Sequence, residues 1–175
     1  QMTALFDKVL LVTNTPDLFD FLPCRKVSDL IPGLGALSGI HSGLFHSDDP
    51  YVFVVACDMP HLIPGLIRHL ASQAEGNDVV IPEGPEGLEP LHAVYGKGAL
   101  KAIEDALNAG KGRVVSFFDR VNVRKASSEE VSRFDPAFRS FRNINTPEDY
   151  FRFRDEGKPA RAAVPGKPQS RKDQA

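Results

Sequence analysis

The chain has 175 residues and a mass of 19.2 kDa, which fits one domain, since domains commonly run to roughly 100–200 residues. Hydrophobic residues make up 42% and charged residues 25%, the balance of a packed globular chain, and wholesale disorder is excluded. A net charge of −2 gives no electrostatic reason to expect nucleic acid, and the longest apolar run, Tyr51 to Cys57, falls far short of the ~18 residues a membrane-spanning helix needs.

Apolar runs alternate with helix-like segments, the pattern of an α/β chain. Asp7 to Thr13 reads as a buried strand and Cys24 to Ser28 as a shorter one. Three glycines, Gly33, Gly35 and Gly39, then form a loop that opens a helix through Ile40 to Phe45. Tyr51 to Cys57 (YVFVVAC) is the strongest strand, and its unbroken apolar character suits a parallel sheet covered on both faces. Pro64 to Ala74 has proline in its first turn and Leu66, Ile67 and Leu70 at helical spacing. Strands follow at Asn77 to Pro82 and Pro90 to Tyr95. A helix follows over Gly98 to Ala109, with Gly110 where a left-handed cap is wanted. Val121 to Ala126 and Arg139 to Asn145 complete the strands. Thr146 to Arg154 is a helix, capped by Thr146 with Pro147 at its first position and Asp149 reaching back.

Two ends of the chain read differently. Residue 1 is glutamine, so either an upstream segment or an unusual start at Met2 is expected, and no basic stretch precedes an apolar core as in a signal peptide. From Arg152 to Ala175 there are seven basic and three acidic residues with little apolar content. The organisation expected is a domain over 1–155 and a disordered basic tail over 156–175. Cys24 and Cys57 are too few for a disulfide framework, and a reducing cytoplasm is the default setting. Cys57 reads as a small buried hydrophobe of its strand.

Three segments can carry chemistry. Asp58-Met59-Pro60 follows the strongest strand, at the carboxyl edge where open α/β folds bind ligands. A carboxylate there can hold Mg²⁺, which takes one or two carboxylates and fills its other positions with water and phosphate oxygens. Capping of the following turn is an equally good reading of Asp58. The loop from Asp29 through Gly39 can bring backbone N–H groups to an anionic or planar ligand, although an ordinary strand-to-helix turn explains it as well. In Phe141 to Asp149 (FRNINTPED), Asn143 and Asn145 share one face of a strand end and can hydrogen-bond a polar heterocycle; turn-forming asparagines are the commoner case. Arg113, after Gly110-Lys111-Gly112, can bind phosphate. The five histidines lack the spacing of a zinc helix, and no nucleophile-elbow motif is present.

In order, Val9–Asn14 (VLLVTN), Asp29 with Gly35–Leu44 (GALSGIHSGL), Val54–Pro60 (VVACDMP), Glu89–Tyr95 (EPLHAVY) and Phe141–Asp149 (FRNINTPED) resemble the molybdenum cofactor guanylyltransferase family of the nucleotidyltransferase superfamily. The resemblance implies a Rossmann-like three-layer α/β/α sandwich with a mostly parallel sheet. It implies transfer of GMP from GTP to molybdopterin (Mo-molybdopterin) with release of pyrophosphate, in a cytoplasmic, Mg²⁺-dependent monomer. Asp29, Gly35, Leu37 and Gly39 fall where the guanine nucleotide is held, Asp58 where the catalytic metal ligand sits, and Asn143, Asn145 and Arg113 in segments on the pterin side. Transient contact with molybdoenzymes or other cofactor-synthesis proteins is implied, with neither nucleic acid nor membrane as partner.

The family's N-terminal glycine-rich loop, roughly Leu-Ala-Gly-Gly-x-Ser-x-Arg-Met-Gly-x-x-Lys, has no match among these residues. With it goes the first, central strand, so the sheet is expected to lack that strand, and the chain by itself to be a poor catalyst and less stable than a longer parent. Two rivals stand beside the guanylyltransferase: a molybdopterin cytidylyltransferase, and a non-catalytic module that binds pterin or a partner.

Overall fold

A computed structural model describes residues 1–156, with side chains as far as Arg154. The expected tail lies outside these residues apart from its first. The chain divides into two units, Gln1–Asn143 and Ile144 onward.

The larger unit carries seven short strands. β1 (Leu10–Val12) and β2 (Arg25–Val27) pair in parallel as a two-stranded sheet. A second sheet takes β3 (Tyr51–Val55), β6 (His92–Gly96), β4 (Val79–Gly84) and β5 (Gly87–Leu88) in that order, with β7 (Val123–Ala126) also paired to β4. The β4–β7 ladder is parallel, whereas β3–β6, β4–β6 and β4–β5 are antiparallel. The mostly parallel sheet expected from the sequence is therefore corrected: β6 runs back between β3 and β4. Strands buried on both faces look equally apolar in either direction, so the sequence pattern does not report this.

Alternation across the pleat explains why β4 and β6 have no polar face. Val79, Ile81, Ala93 and Tyr95 point to one side, where they pack with Leu37, Ile40 and Leu44 of α1 (Ala36–His46), Ile103 and Leu107 of α3 (Leu100–Asn108), and Phe117 of the 3₁₀ segment Val114–Arg120. Val80 and Val94 point to the other side, where they meet Leu66 and Leu70 of α2 (Pro64–Ser72), Ala126, and Val131 of α4 (Ser128–Ser132). Two apolar faces, each under helices, give the three layers. Each fully buried Leu or Ile here stabilises the fold by roughly 1.5–3 kcal/mol.

β1 and β3 behave differently. Both pack against α1, yet among the described strands β1 pairs only with β2 and β3 only with β6. Their approaches are tied together: the Phe6 and Phe53 rings stack with centroids 5.7 Å apart, and Lys8 Nζ lies 3.1 Å from Asp49. All eight residues of these two strands are only half-buried, although each is apolar. The split between the sheets therefore falls beside α1, where each strand keeps one unpaired edge.

The expected strand over Arg139–Asn145 is absent. A short 3₁₀ turn, Arg139–Phe141, enters through Phe138 in the left-handed region (φ 49°), and Arg142 to Asn145 are irregular. Phe138 and Phe141 join the apolar layer with α2 and α4 as turn residues rather than as alternate positions of a strand. In the smaller unit, α5 (Pro147–Glu156) has the cap read from its sequence: Thr146 Oγ1 accepts from the Asp149 N–H, and Asp149 Oδ2 accepts from the Thr146 N–H, both at 3.1 Å. No helix among the described residues is long and apolar enough to cross a membrane.

Candidate functional site

The carboxyl ends of β1 and β2 meet the start of α1. After β1 the Asn14 side-chain amide donates to Asp29 Oδ2 at 2.9 Å, and the Asp29 N–H donates to Asn14 Oδ1 at 3.0 Å. The next N–H, from Leu30, donates to Ser42 Oγ at 2.8 Å, which locks the segment onto α1. Asp29 Oδ1 stands 4.0 Å from where a Cβ on Gly39 would sit, so Asp29 faces the first turns of that helix. In the sequence Asn14 ends a strand motif, where a turn is the ordinary explanation; its candidacy as a site residue comes from a partner 15 residues away.

α1 opens without a side-chain cap. Gly35 holds its N-cap position at φ 67°, a backbone state that glycine adopts without strain. The first-turn amides are thereby presented to a polar or anionic ligand. Leu37, placed at the nucleotide by resemblance, sends its side chain into the core at 0% exposure, so only its backbone can reach a ligand.

Arg113 and its neighbours come to this loop. A Cβ on Gly112 would lie 2.7 Å from the Leu34 carbonyl oxygen, so a bare α-carbon lets the Lys111–Arg113 turn settle on the backbone just before Gly35. Lys111 and Arg113 are both exposed on either side of that contact. The structure thus groups Arg113 with the Gly35–Gly39 loop.

Asp58 follows β3 in a turn, at the end of the sheet that its sequence position suggested. Its Oδ1 is buried and finds no hydrogen-bond partner among the described residues. A buried carboxylate oxygen without a donor is costly and is the kind of atom a cation satisfies. No cluster of three or more His, Cys, Asp or Glu side chains fit to hold a metal occurs among the described residues. A cation at Asp58 would therefore complete its coordination with water and ligand oxygens, which is the habit of Mg²⁺. Cys57, expected to be buried in the strand, is exposed, because β3 ends at Val55 and the thiol lies in the turn; both cysteines are free.

Beyond β3 the same edge continues through β4 and β6. The Ala56 N–H donates to the Leu91 carbonyl at 3.0 Å, which ties the chain just before Asp58 to the motif Glu89–Tyr95. Within it His92 is fully buried between the edges of Phe53 (5.0 Å) and Phe141 (5.5 Å), with neither ring nitrogen hydrogen-bonded. Burial holds its pKa down at about 4, against the opposing pull of Asp135. Glu89 is half-buried, and burial, reinforced by Glu86, raises its pKa. Asn143, two residues after Phe141, is exposed at the end of the larger unit. Asn145 is exposed in the smaller unit, so the shared strand face expected for the two asparagines does not exist.

Comparison with known proteins gives this edge a context. Residues 1–124 match the MobA-like NTP transferase domain. The probable molybdenum cofactor guanylyltransferase of Pelotomaculum thermopropionicum is 43% identical over 133 residues, 76% of this chain and 65% of that protein. The molybdenum cofactor guanylyltransferase of Syntrophotalea carbinolica is 36% identical over 159 residues, 90% of this chain and 76% of the relative. The chain thus spans about two thirds to three quarters of these relatives' lengths. The crystal structure of molybdopterin-guanine dinucleotide biosynthesis protein A from Archaeoglobus fulgidus superposes with a TM-score of 0.72 at 31% identity, covering 84% of this chain and 77% of that one. On the domain match, the identities and the shared fold together, the chain belongs to the molybdenum cofactor guanylyltransferase family of MobA-like NTP transferases.

Proposed function

We propose that this chain provides the nucleotide and acceptor faces of a guanylyltransferase that joins GMP from GTP to Mo-molybdopterin. An oxygen of the acceptor phosphate bonds to the α-phosphorus of GTP. The bond from that phosphorus to the α–β bridging oxygen breaks, and pyrophosphate leaves with the bridging oxygen. Such a transfer asks the protein for in-line positioning and charge neutralisation rather than for a covalent intermediate.

Asp29, braced by Asn14, and the first turn of α1 at Gly35, Leu37 and Gly39 hold the guanine nucleotide. Arg113 and Lys111 add positive charge beside that loop, which favours the nucleotide side for Arg113 over the pterin side. Asn143 lies toward the acceptor. Asp58 is the residue that would hold Mg²⁺, which when bound neutralises phosphate charge. The observation that carries the reading is the buried, partnerless Oδ1 of Asp58 at the end of β3. Two free thiols fit a cytoplasmic setting.

One observation favours a second reading, in which these residues alone bind without turning over. Among the described residues β1 and β3 each keep an unpaired edge beside α1, and an unpaired edge inside a sandwich leaves ladder groups unsatisfied. A further strand in that slot would complete the sheet and carry the triphosphate loop.

Pyrophosphate release from GTP and Mo-molybdopterin, with CTP in parallel, tests the proposal. Mg²⁺-dependent turnover with GTP supports it, and preference for CTP points to a cytidylyltransferase. Binding of both substrates without turnover supports the binding reading; failure to bind GTP refutes the first.

A further inference from the structure

The motif Glu89–Tyr95 is only partly explained by packing. His92, Ala93, Val94 and Tyr95 fill β6 and are buried. Glu89 lies just before the strand and has no such duty. Its backbone is fixed from both sides: its N–H donates to the Pro82 carbonyl at 2.9 Å, and its carbonyl accepts from the His92 N–H at 3.1 Å. The side chain is therefore held at the end of β4 and β6, on the edge that the Ala56–Leu91 hydrogen bond joins to Asp58.

Gly84 tells what that side chain meets. A Cβ on Gly84 would lie 2.7 Å from Glu89 Oε1 and 2.8 Å from Phe141 Cδ2. A carboxylate oxygen and an aromatic ring edge thus converge over one bare α-carbon. The Phe141 ring is itself fixed edge-on against the buried His92, and Asn143 follows two residues later. A half-buried carboxylate beside Glu86 is costly to keep charged, which gives weight to a role other than packing.

We propose that Glu89 reads the 2-amino-4-oxopyrimidine edge of the pterin acceptor, with Phe141 flanking the heterocycle and Asn143 beside it. That edge presents a ring N–H and an amino group side by side, two donors that a carboxylate accepts together, and the flat ring lies well against an aromatic side chain. The assignment rests on the guanylyltransferase reading for the identity of the acceptor. Guanine carries the same edge, so the test separates the two heterocycles.

The full chain is titrated with 6-hydroxymethylpterin by its fluorescence, with 6-hydroxymethyllumazine, which has oxygen in place of the 2-amino group, and with GTP by calorimetry. Glu89→Gln keeps the shape and loses the charged acceptor pair. It is expected to weaken the pterin about tenfold and to abolish its advantage over the lumazine. GTP binding is expected to change by less than about twofold, since the Asn14–Asp29 loop is intact. A variant that loses GTP affinity instead overturns the assignment in favour of guanine, and an unchanged pterin affinity in a folded variant overturns it outright. Should Glu89→Gln not fold, Glu89→Asp, one methylene shorter, is expected to weaken the pterin alone. A parent chain that binds GTP but no pterin removes this assignment only; one that binds neither removes the guanylyltransferase reading with it.

Discussion

Asn14 and Asp29 grip each other through two hydrogen bonds, side chain to side chain at 2.9 Å and backbone to side chain at 3.0 Å. Each lies two residues past the end of a strand of the parallel pair β1–β2. The pairing converts two separate strand ends into one rigid lip at the start of α1, and it uses one carboxylate oxygen while leaving the other toward Gly39.

Asn14→Ala removes both bonds at an exposed site, where each contributes about 1 kcal/mol or less. The expected result is a small drop in the urea midpoint together with a loss of GTP affinity of several fold. Asn14→Asp should be worse on both counts, because it sets two carboxylates against each other. Equal GTP affinity in all three proteins would detach the lip from the nucleotide.

Asp58→Asn separates metal binding from folding. The substitution removes the charge on a buried oxygen that has no partner, so the ligand-free protein should unfold at the same temperature or slightly higher. The upward shift in unfolding temperature from Mg²⁺ with GTP in the parent chain should disappear. A variant that keeps the Mg²⁺-dependent shift would show that the cation is held elsewhere.

Acid should destabilise the protein in two windows. His92 has a folded-state pKa of about 4 against an ordinary 6.5, so the unfolded chain takes up a proton first and stability falls as pH drops from 6.5 toward 4. For Glu130, burial pushes the carboxyl up, but hydrogen bonds from Arg124, Gln73 and His69 outweigh it and hold the pKa at about 2. Its contribution is present above 4.5 and is lost as pH falls toward 2. In urea melts across this range, His92→Leu should flatten the upper limb and Glu130→Gln should reduce the lower one. A parent curve that is flat between pH 6.5 and 4 would mean that His92 is not held neutral.

Gly112→Ala would drive a methyl group to 2.7 Å from the Leu34 carbonyl oxygen, and that atom belongs to the backbone and cannot swing aside. The Lys111–Arg113 turn should lift from the Gly35–Gly39 loop, at about 1–3 kcal/mol in stability. GTP affinity should fall while pterin affinity holds. Loss of the pterin instead would return Arg113 to the acceptor side.

Local chemistry by itself accounts for much of this fold. The runs expected as strands at Asp7–Thr13, Tyr51–Cys57 and Pro90–Tyr95 overlap the shorter strands Leu10–Val12, Tyr51–Val55 and His92–Gly96, and the helical spacing of Leu66, Ile67 and Leu70 and the Thr146–Asp149 cap appear where their side-chain periods and capping groups require. The same holds for Asp58, because a polar residue after the most apolar strand has nowhere to lie but the sheet edge. Other features depend on residues far apart in the chain. The reversal of β6 between β3 and β4, the unpaired edges of β1 and β3, the 3₁₀ turn in place of a strand at Arg139–Phe141, and the contacts Asn14–Asp29, Gly112–Leu34 and Glu89–Gly84–Phe141 join segments that no local pattern links. Periodicity records which faces of a segment are buried, and so the sequence determined most of the elements and the place of Asp58 after its strand. Strand direction, pairing and close backbone approach are set by which partners arrive, and only the tertiary structure decided them.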